Sequence, residues 1–213
     1  MNAIASAQSF DDNTRPFVQE MKAMWEHYVV KGSVRPYPLP DKFGSVGVLR
    51  YAEVRPDGPV REAVAQFQAS QDANFASDQK GVNQALDQLK ANQNKGVPPQ
   101  AATDSFKKKL AAQKEQAKQR SNESIEAAFD KLLVIGEEHP EQQGIILGVV
   151  DQLLPFFEEL LSQGVRWFGS IAQTVIQWFR TVVQWLDDAR KAVVGFFSGA
   201  VGQVGDFFRG IFG

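Results

Sequence analysis

The last third of the chain is patterned in elevens. One column of positions reads Ile145, Phe156, Trp167, Trp178, Ala189, Ala200, Ile211, and its neighbour reads Ile146, Phe157, Phe168, Phe179, Arg190, Val201, Phe212. Three further columns run down from Val149, Val150 and Leu153, the last through Val175, Leu186, Phe197 and Phe208. In all five, only Arg190, Gly164 and Gly205 are not apolar. The columns between them are polar or small, as in Asp151, Ser162, Gln173, Gln184, Gly195, Asp206. Eleven residues make almost three helical turns, so such a stripe drifts by only about 20° per repeat. Five adjacent columns cover about half the circumference of a helix. The phase is kept from Ile145 to Phe212, as one long helix requires. Separate helices breaking near Gly164 and Gly195 are the plainer alternative, with Pro155 opening or kinking a helix from its polar column.

The rest of the chain carries thinner stripes. Asp11 to Thr14 offer helix caps and Pro16 suits a first turn; Phe17, Val18, Met21, Met24, Trp25, Tyr28 and Val29 then recur at helical spacing up to Gly32. Pro36, Pro38 and Pro40 impose extended backbone, and Val46, Val48, Leu49, Tyr51 and Val54 alternate as a strand does, so a short extended or β arm is expected near residues 34–58. Residues 60–95 read as a polar helix with a narrow apolar line from Val60 to Leu89, and Gly96, Pro98 and Pro99 mark a turn. A second polar helix follows over 102–139, and Gly136 and Pro140 are expected to break it. The fold class that emerges is all-α: an elongated helical bundle or helical hairpin with a long amphipathic segment at its C-terminal end. Three segments are expected: 1–58, the first helix and the arm; 59–140, a polar helical hairpin; and 141–213, an aromatic-rich segment that binds membrane or partner.

Composition sharpens this picture at a few points. There is no cysteine, which excludes disulfides and thiolate chemistry. A net charge of −2 gives no general reason to expect nucleic acid, and the Lys107, Lys108, Lys109, Lys114, Lys118 cluster has no interleaved aromatic to stack on a base. The first residues, MNAIASAQSFDDN, lack the basic start and apolar run of a secretory signal, and no uncharged apolar run reaches the length of a conventional transmembrane helix. That leaves a peripheral membrane location or export by a signal-less route as the expectation. His27 and His139 stand apart from any metal-ligand partner at helical or loop spacing, and no nucleophile elbow, phosphate loop or dinucleotide fingerprint is present. The reading is therefore of a non-enzymatic protein with no cofactor and no metal.

What the striped segment offers is surface. A broad apolar arc with a polar back lies in the headgroup boundary of a bilayer, and Trp favours that interface. The expected membrane- or partner-binding residues are Phe156, Phe157, Trp167, Phe168, Trp178, Phe179, Trp185, Phe196, Phe197, Phe207, Phe208 and Phe212. Gly195, Gly199 and Gly202 have the spacing of small residues that let helices approach closely in lipid. Five basic and six acidic residues in the segment leave the apolar arc as the expected driving force, with little salt dependence.

The elevenfold stripe resembles, as a class, the helices of lipid-surface proteins such as apolipoproteins, perilipins and synuclein, over Ile145–Phe212 only. Those repeats are rich in charge and Thr, whereas this one is rich in Phe and Trp. It is also similar to the aromatic, glycine-spotted segments of helical pore-forming toxins and secretion translocators. The resemblance implies a lipid bilayer as partner, with coating, membrane perturbation or pore formation as the activity. The alternative is self-assembly: an elevenfold repeat also specifies a right-handed coiled coil, so a homo-oligomer or a helical protein partner would bury the same stripe. One mechanism accommodates both, a water-soluble form that hides the stripe and opens on contact with lipid.

Overall fold

The computed structural model describes residues 15–33, 35, 37–39, 56, 58–181 and 184–212. Five α-helices occur among them: α1 Arg15–Trp25, α2 Gly58–Asn94, α3 Pro99–Glu138, α4 Gln143–Thr181 and α5 Trp185–Phe212. A π turn, Glu26–Val30, extends α1, and a 3₁₀ turn, Pro140–Gln142, leads into α4. The all-α reading holds, with no strand among the described residues. The alternating stretch Val46–Val54 lies outside the described residues.

The helix ends follow local chemistry. Gly32 and Gly96 take positive φ, 61° and 70°, which only glycine adopts without strain, and they end the first helical segment and the α2–α3 turn respectively. Gly136, in contrast, breaks nothing. It lies inside α3, which runs on to Glu138, and it is there because the Phe17 ring sits where a Cβ would go.

The elevenfold segment folds as two helices. α4 runs straight through Pro155 and Gly164, and α5 runs through Gly195. The break falls between Thr181 and Trp185, at neither glycine. Interior glycines cost a helix only about 1 kcal/mol each, which the burial of the neighbouring Val and Phe side chains outweighs. The turn is marked instead by charge. Arg180 occupies the last turn of α4 and Asp187 and Asp188 the first turn of α5, each of the sign that its helix terminus favours.

Two compact units are formed, each from separate stretches of chain. The first comprises Met1–Gln68, Glu123–Glu159 and Asp206–Gly213. Its core draws Phe17, Met21, Met24 and Tyr28 from the first helical segment, Val64 and Phe67 from α2, Phe129 and Leu132 from α3, Ile146, Val150 and Phe157 from α4, and Phe208 from α5. Trp25 packs on Phe129 with ring centroids 4.9 Å apart.

The second unit comprises Ala69–Asn122 and Leu160–Gly205. One apolar cluster fills it: Val82, Leu86 and Leu89 from α2, Phe106 and Leu110 from α3, Phe168, Ile171, Val175 and Phe179 from α4, and Trp185, Val193 and Phe197 from α5. Most of what reads as an exposed greasy arc in the sequence is the inside of these two units.

Candidate functional site: the aromatic seam of α4 and α5

Aromatic residues come in adjacent pairs on α4 and α5, and the two members of a pair differ in fate. Phe157, Phe168, Phe179, Phe197 and Phe208 are buried, while the residues before them, Phe156, Trp167, Trp178, Phe196 and Phe207, are half-buried. Adjacent side chains on a helix diverge by about 100°, so one ring enters the core and the other lies along its rim. Trp185 reverses the order: it is 1 % exposed, its indole N–H donates to Gln93 Oε1 at 3.4 Å, and Leu186 takes the rim.

The rim rings stack across the hairpin. In the first unit Phe156 lies on Phe207 with centroids 4.0 Å apart and planes 7° from parallel. In the second unit Trp167 lies on Phe196 at 4.3 Å and 9°. Core rings meet edge to face, as Phe67–Phe157 at 4.7 Å and Phe179–Trp185 at 5.3 Å. Phe212, at the end of α5, is half-buried under the Arg61 guanidinium, 5.4 Å from its ring centroid.

In sequence, the members of both stacked pairs are equally spaced on either side of the link between α4 and α5. Aromatic pairs recur every eleven residues, beginning at 156, 167 and 178 on one side and at 196 and 207 on the other, where the single Trp185 continues the spacing, but only seven residues separate Trp178 from Trp185. The Ala and Ile positions of the first column carry on in elevens through the turn, which is why the repeat reads as unbroken.

The glycines do not take part in this seam. Gly195, Gly199 and Gly202 are exposed, and a Cβ on any of them would meet nothing within 4 Å. With Val194 and Val201, exposed at 47 % and 41 %, they form an uncharged outer face of α5.

Polar groups inside the units are few and unevenly satisfied. In the first unit the Tyr28 hydroxyl donates to Asp151 on α4, the Tyr37 amide donates to the Tyr28 oxygen at 2.7 Å, and the Tyr37 hydroxyl donates to Glu20 at 2.6 Å. Burial, and then the Glu20 carboxylate, push the Tyr37 phenol up to about 12. Asp151, which opens a polar column of the repeat, is thus buried and bonded rather than solvated. Below it on α4, burial raises Glu158 above the usual carboxylate range.

In the second unit α2 and α3 meet through polar side chains. Arg120 donates to Asp78, and Asn74 donates to the Arg120 carbonyl at 3.4 Å. Burial raises Asp78 despite that guanidinium. Gln71 Nε2, Asn83 Oδ1 and Arg120 Nε are buried without a hydrogen-bond partner. These residues escape a sequence reading because Gln, Asn and Asp on a polar helix look like surface.

A small apolar cleft in the first unit is lined by Phe67, Ile125, Ala128, Phe129, Leu153 and Phe157 among others. Among the described residues no three His, Asp or Glu side chains are grouped to hold a metal ion, and no helix is long and apolar enough to cross a membrane. Comparison of the chain with protein-family models, with curated proteins and with solved structures returns no match.

Proposed function

We propose that this chain is a conditional membrane-associating protein: a water-soluble helical fold whose α4–α5 hairpin exchanges its cover of α2 and α3 for a lipid bilayer. The observation that carries the reading is a mismatch of cover. Within the second unit α4 and α5 bring Phe, Trp, Val and Ile side chains to the core, while the stretch of α2 and α3 from Gln71 to Gly81 and from Gln113 to Arg120 buries Gln71, Asp78 and part of Arg120.

The energetics favour exchange over simple exposure. Each large apolar side chain is worth about 1.5–3 kcal/mol when buried, so opening into water is prohibitive. Moving the same side chains from a protein core into a bilayer keeps them out of water. Meanwhile each polar group buried without a partner costs about 1–3 kcal/mol and recovers that on hydration. Among the aromatic side chains, the half-buried rim rings Phe156, Trp167, Trp178, Phe196 and Phe207 need the least rearrangement to pass from the protein to lipid. The hairpin lies in the interface rather than spanning it, as amphipathic helices with a charged back do.

Vesicle flotation of the full-length chain tests this, with dye release separating membrane perturbation and pore formation from coating. Replacing rim rings alone, Trp178→Ser with Phe156→Ser, leaves the core rings in place and should weaken flotation. A chain that associates with no vesicle over a range of pH contradicts the reading.

A second reading has an observation of its own. The uncharged outer face of α5 carries the exposed Val194 and Val201 beside Gly195, Gly199 and Gly202, whose small size lets a second helix approach closely, which favours a self-assembling scaffold. Sedimentation distinguishes it: a mass that rises with concentration in the absence of lipid supports assembly, and a concentration-independent monomer counts against it.

A further inference from the structure

We propose that the second compact unit is a docking surface for anionic lipid and makes the first contact with the bilayer. This deepens the membrane reading above and rests on it.

The whole-chain charge of −2 conceals a division. The second unit, Ala69–Asn122 and Leu160–Gly205, holds thirteen Lys and Arg against seven Asp and Glu, a net +6. The remaining residues hold ten against eighteen, a net −8. The second unit also holds the half-buried Trp167 and Trp178, whereas its third Trp, Trp185, lies in the core. Cationic side chains together with interfacial Trp are the two features that an anionic headgroup region selects.

The positive charge is available. Lys107, Lys108 and Lys109 are exposed, and Lys107 and Lys108 have no ion-pair partner among the described residues. Lys107, Lys114 and Lys118 recur at spacings of seven and four, so they share one face of α3. Several of the unit's acids are already engaged: Asp78 with Arg120, Asp87 with Arg190 at 2.6 Å, and Glu115 with Lys114 and Lys118, both at 3.4 Å. A nucleic acid shares the phosphate chemistry, but α3 carries no aromatic side chain between Phe106 and Phe129 on which a base would stack, and the unit's Trp side chains suit a lipid interface. The expectation of salt-insensitive attachment, drawn from the charges of the C-terminal segment alone, gives way to a salt-sensitive first step.

The test is flotation of the full-length chain with vesicles of phosphatidylcholine alone and of phosphatidylcholine and phosphatidylserine in equal parts, at low and high salt, with random-sequence RNA as a parallel ligand. Binding to the anionic vesicles should be about tenfold or more tighter at low salt and fall towards the neutral-vesicle value at high salt. A variant with Lys107→Gln, Lys108→Gln and Lys114→Gln should lose most of that preference, and one with Lys22→Gln and Lys31→Gln should keep it. Equal, salt-insensitive binding to both vesicles overturns this proposal and leaves the membrane reading standing, as does an unchanged preference in the α3 variant. Binding to RNA but to neither vesicle overturns it in favour of a nucleic acid, and binding to none of the three overturns both proposals.

Discussion

The Tyr28 hydroxyl donates a hydrogen bond to the Asp151 carboxylate across 123 residues of sequence, tying the turn after α1 to the first half of α4. The Tyr37 amide reaches the same pair, 2.7 Å from the Tyr28 oxygen and 3.3 Å from Asp151. His27 closes the cluster with its ring edge-on to Tyr28 and Tyr37 and its Nε2 donating to the Arg35 carbonyl at 2.7 Å. Any departure of α4 from the first unit must break this cluster. Tyr28→Phe is expected to lower the unfolding free energy by about 1–3 kcal/mol in urea, with the denaturant slope unchanged. If α4 leaves its cover on meeting lipid, the same variant binds vesicles more readily than the wild type.

Alkaline pH offers an independent reading of that cluster. The Tyr37 phenol stands at about 12 in the folded chain against an ordinary 10.0. A folded-state value above the unfolded one means that the native form holds its proton more tightly. The stabilisation is therefore complete below pH 10 and is lost as pH rises towards about 12. Circular dichroism followed through that window should show destabilisation of the wild type and a flatter profile for Tyr37→Phe; identical profiles would remove Tyr37 from the account.

Acid is expected to act in the opposite direction from a trigger. Burial is the first cause of the raised carboxyls of Asp78, Asp130, Glu137 and Glu158. For each, the folded state binds the proton more tightly, so the contribution is fully present below the ordinary carboxylate range and is lost as pH rises through the folded value. Glu115, which Lys118 holds down, works the other way but is fully exposed. The fold should be at least as stable at pH 5 as at pH 7, and Glu158→Gln, half-buried and screened, should raise stability at neutral pH by a few tenths of a kcal/mol. A melting temperature that drops on mild acidification contradicts this.

Two glycines on different helices should respond with opposite signs to the same substitution. Gly136→Ala forces a methyl group into the buried Phe17 ring and is expected to cost about 1–3 kcal/mol. Gly199→Ala meets nothing within 4 Å and should stabilise α5 by about 0.5–1 kcal/mol. Thermal melts of the two variants check both the α1–α3 contact and the openness of the outer face of α5.

These contrasts show how far the sequence can be read. The polar helices, the Gly96 turn and the core face of α1 all follow from local periodicity and glycine chemistry, and the structure has them. The turn after Thr181 was legible as well, in the seven-residue step from Trp178 to Trp185 and in Arg180 followed by Asp187 and Asp188, but the unbroken Ala and Ile columns mask it. Gly136 and Asp151 were not legible. Their roles depend on Phe17 and Tyr28, more than a hundred residues away, and a long-range contact leaves no trace in local spacing. The same limit applies to the division of charge, because each unit gathers segments that are distant in sequence.

The account stands on the claim that the α4–α5 stripe moves from a protein core to lipid, and flotation of the intact chain with vesicles containing phosphatidylserine tests it most directly. We predict that the chain rises with the vesicles and that Trp178→Ser with Phe156→Ser reduces the floated fraction several-fold. A wild-type chain that stays at the bottom of the gradient with every vesicle and at every pH would contradict it.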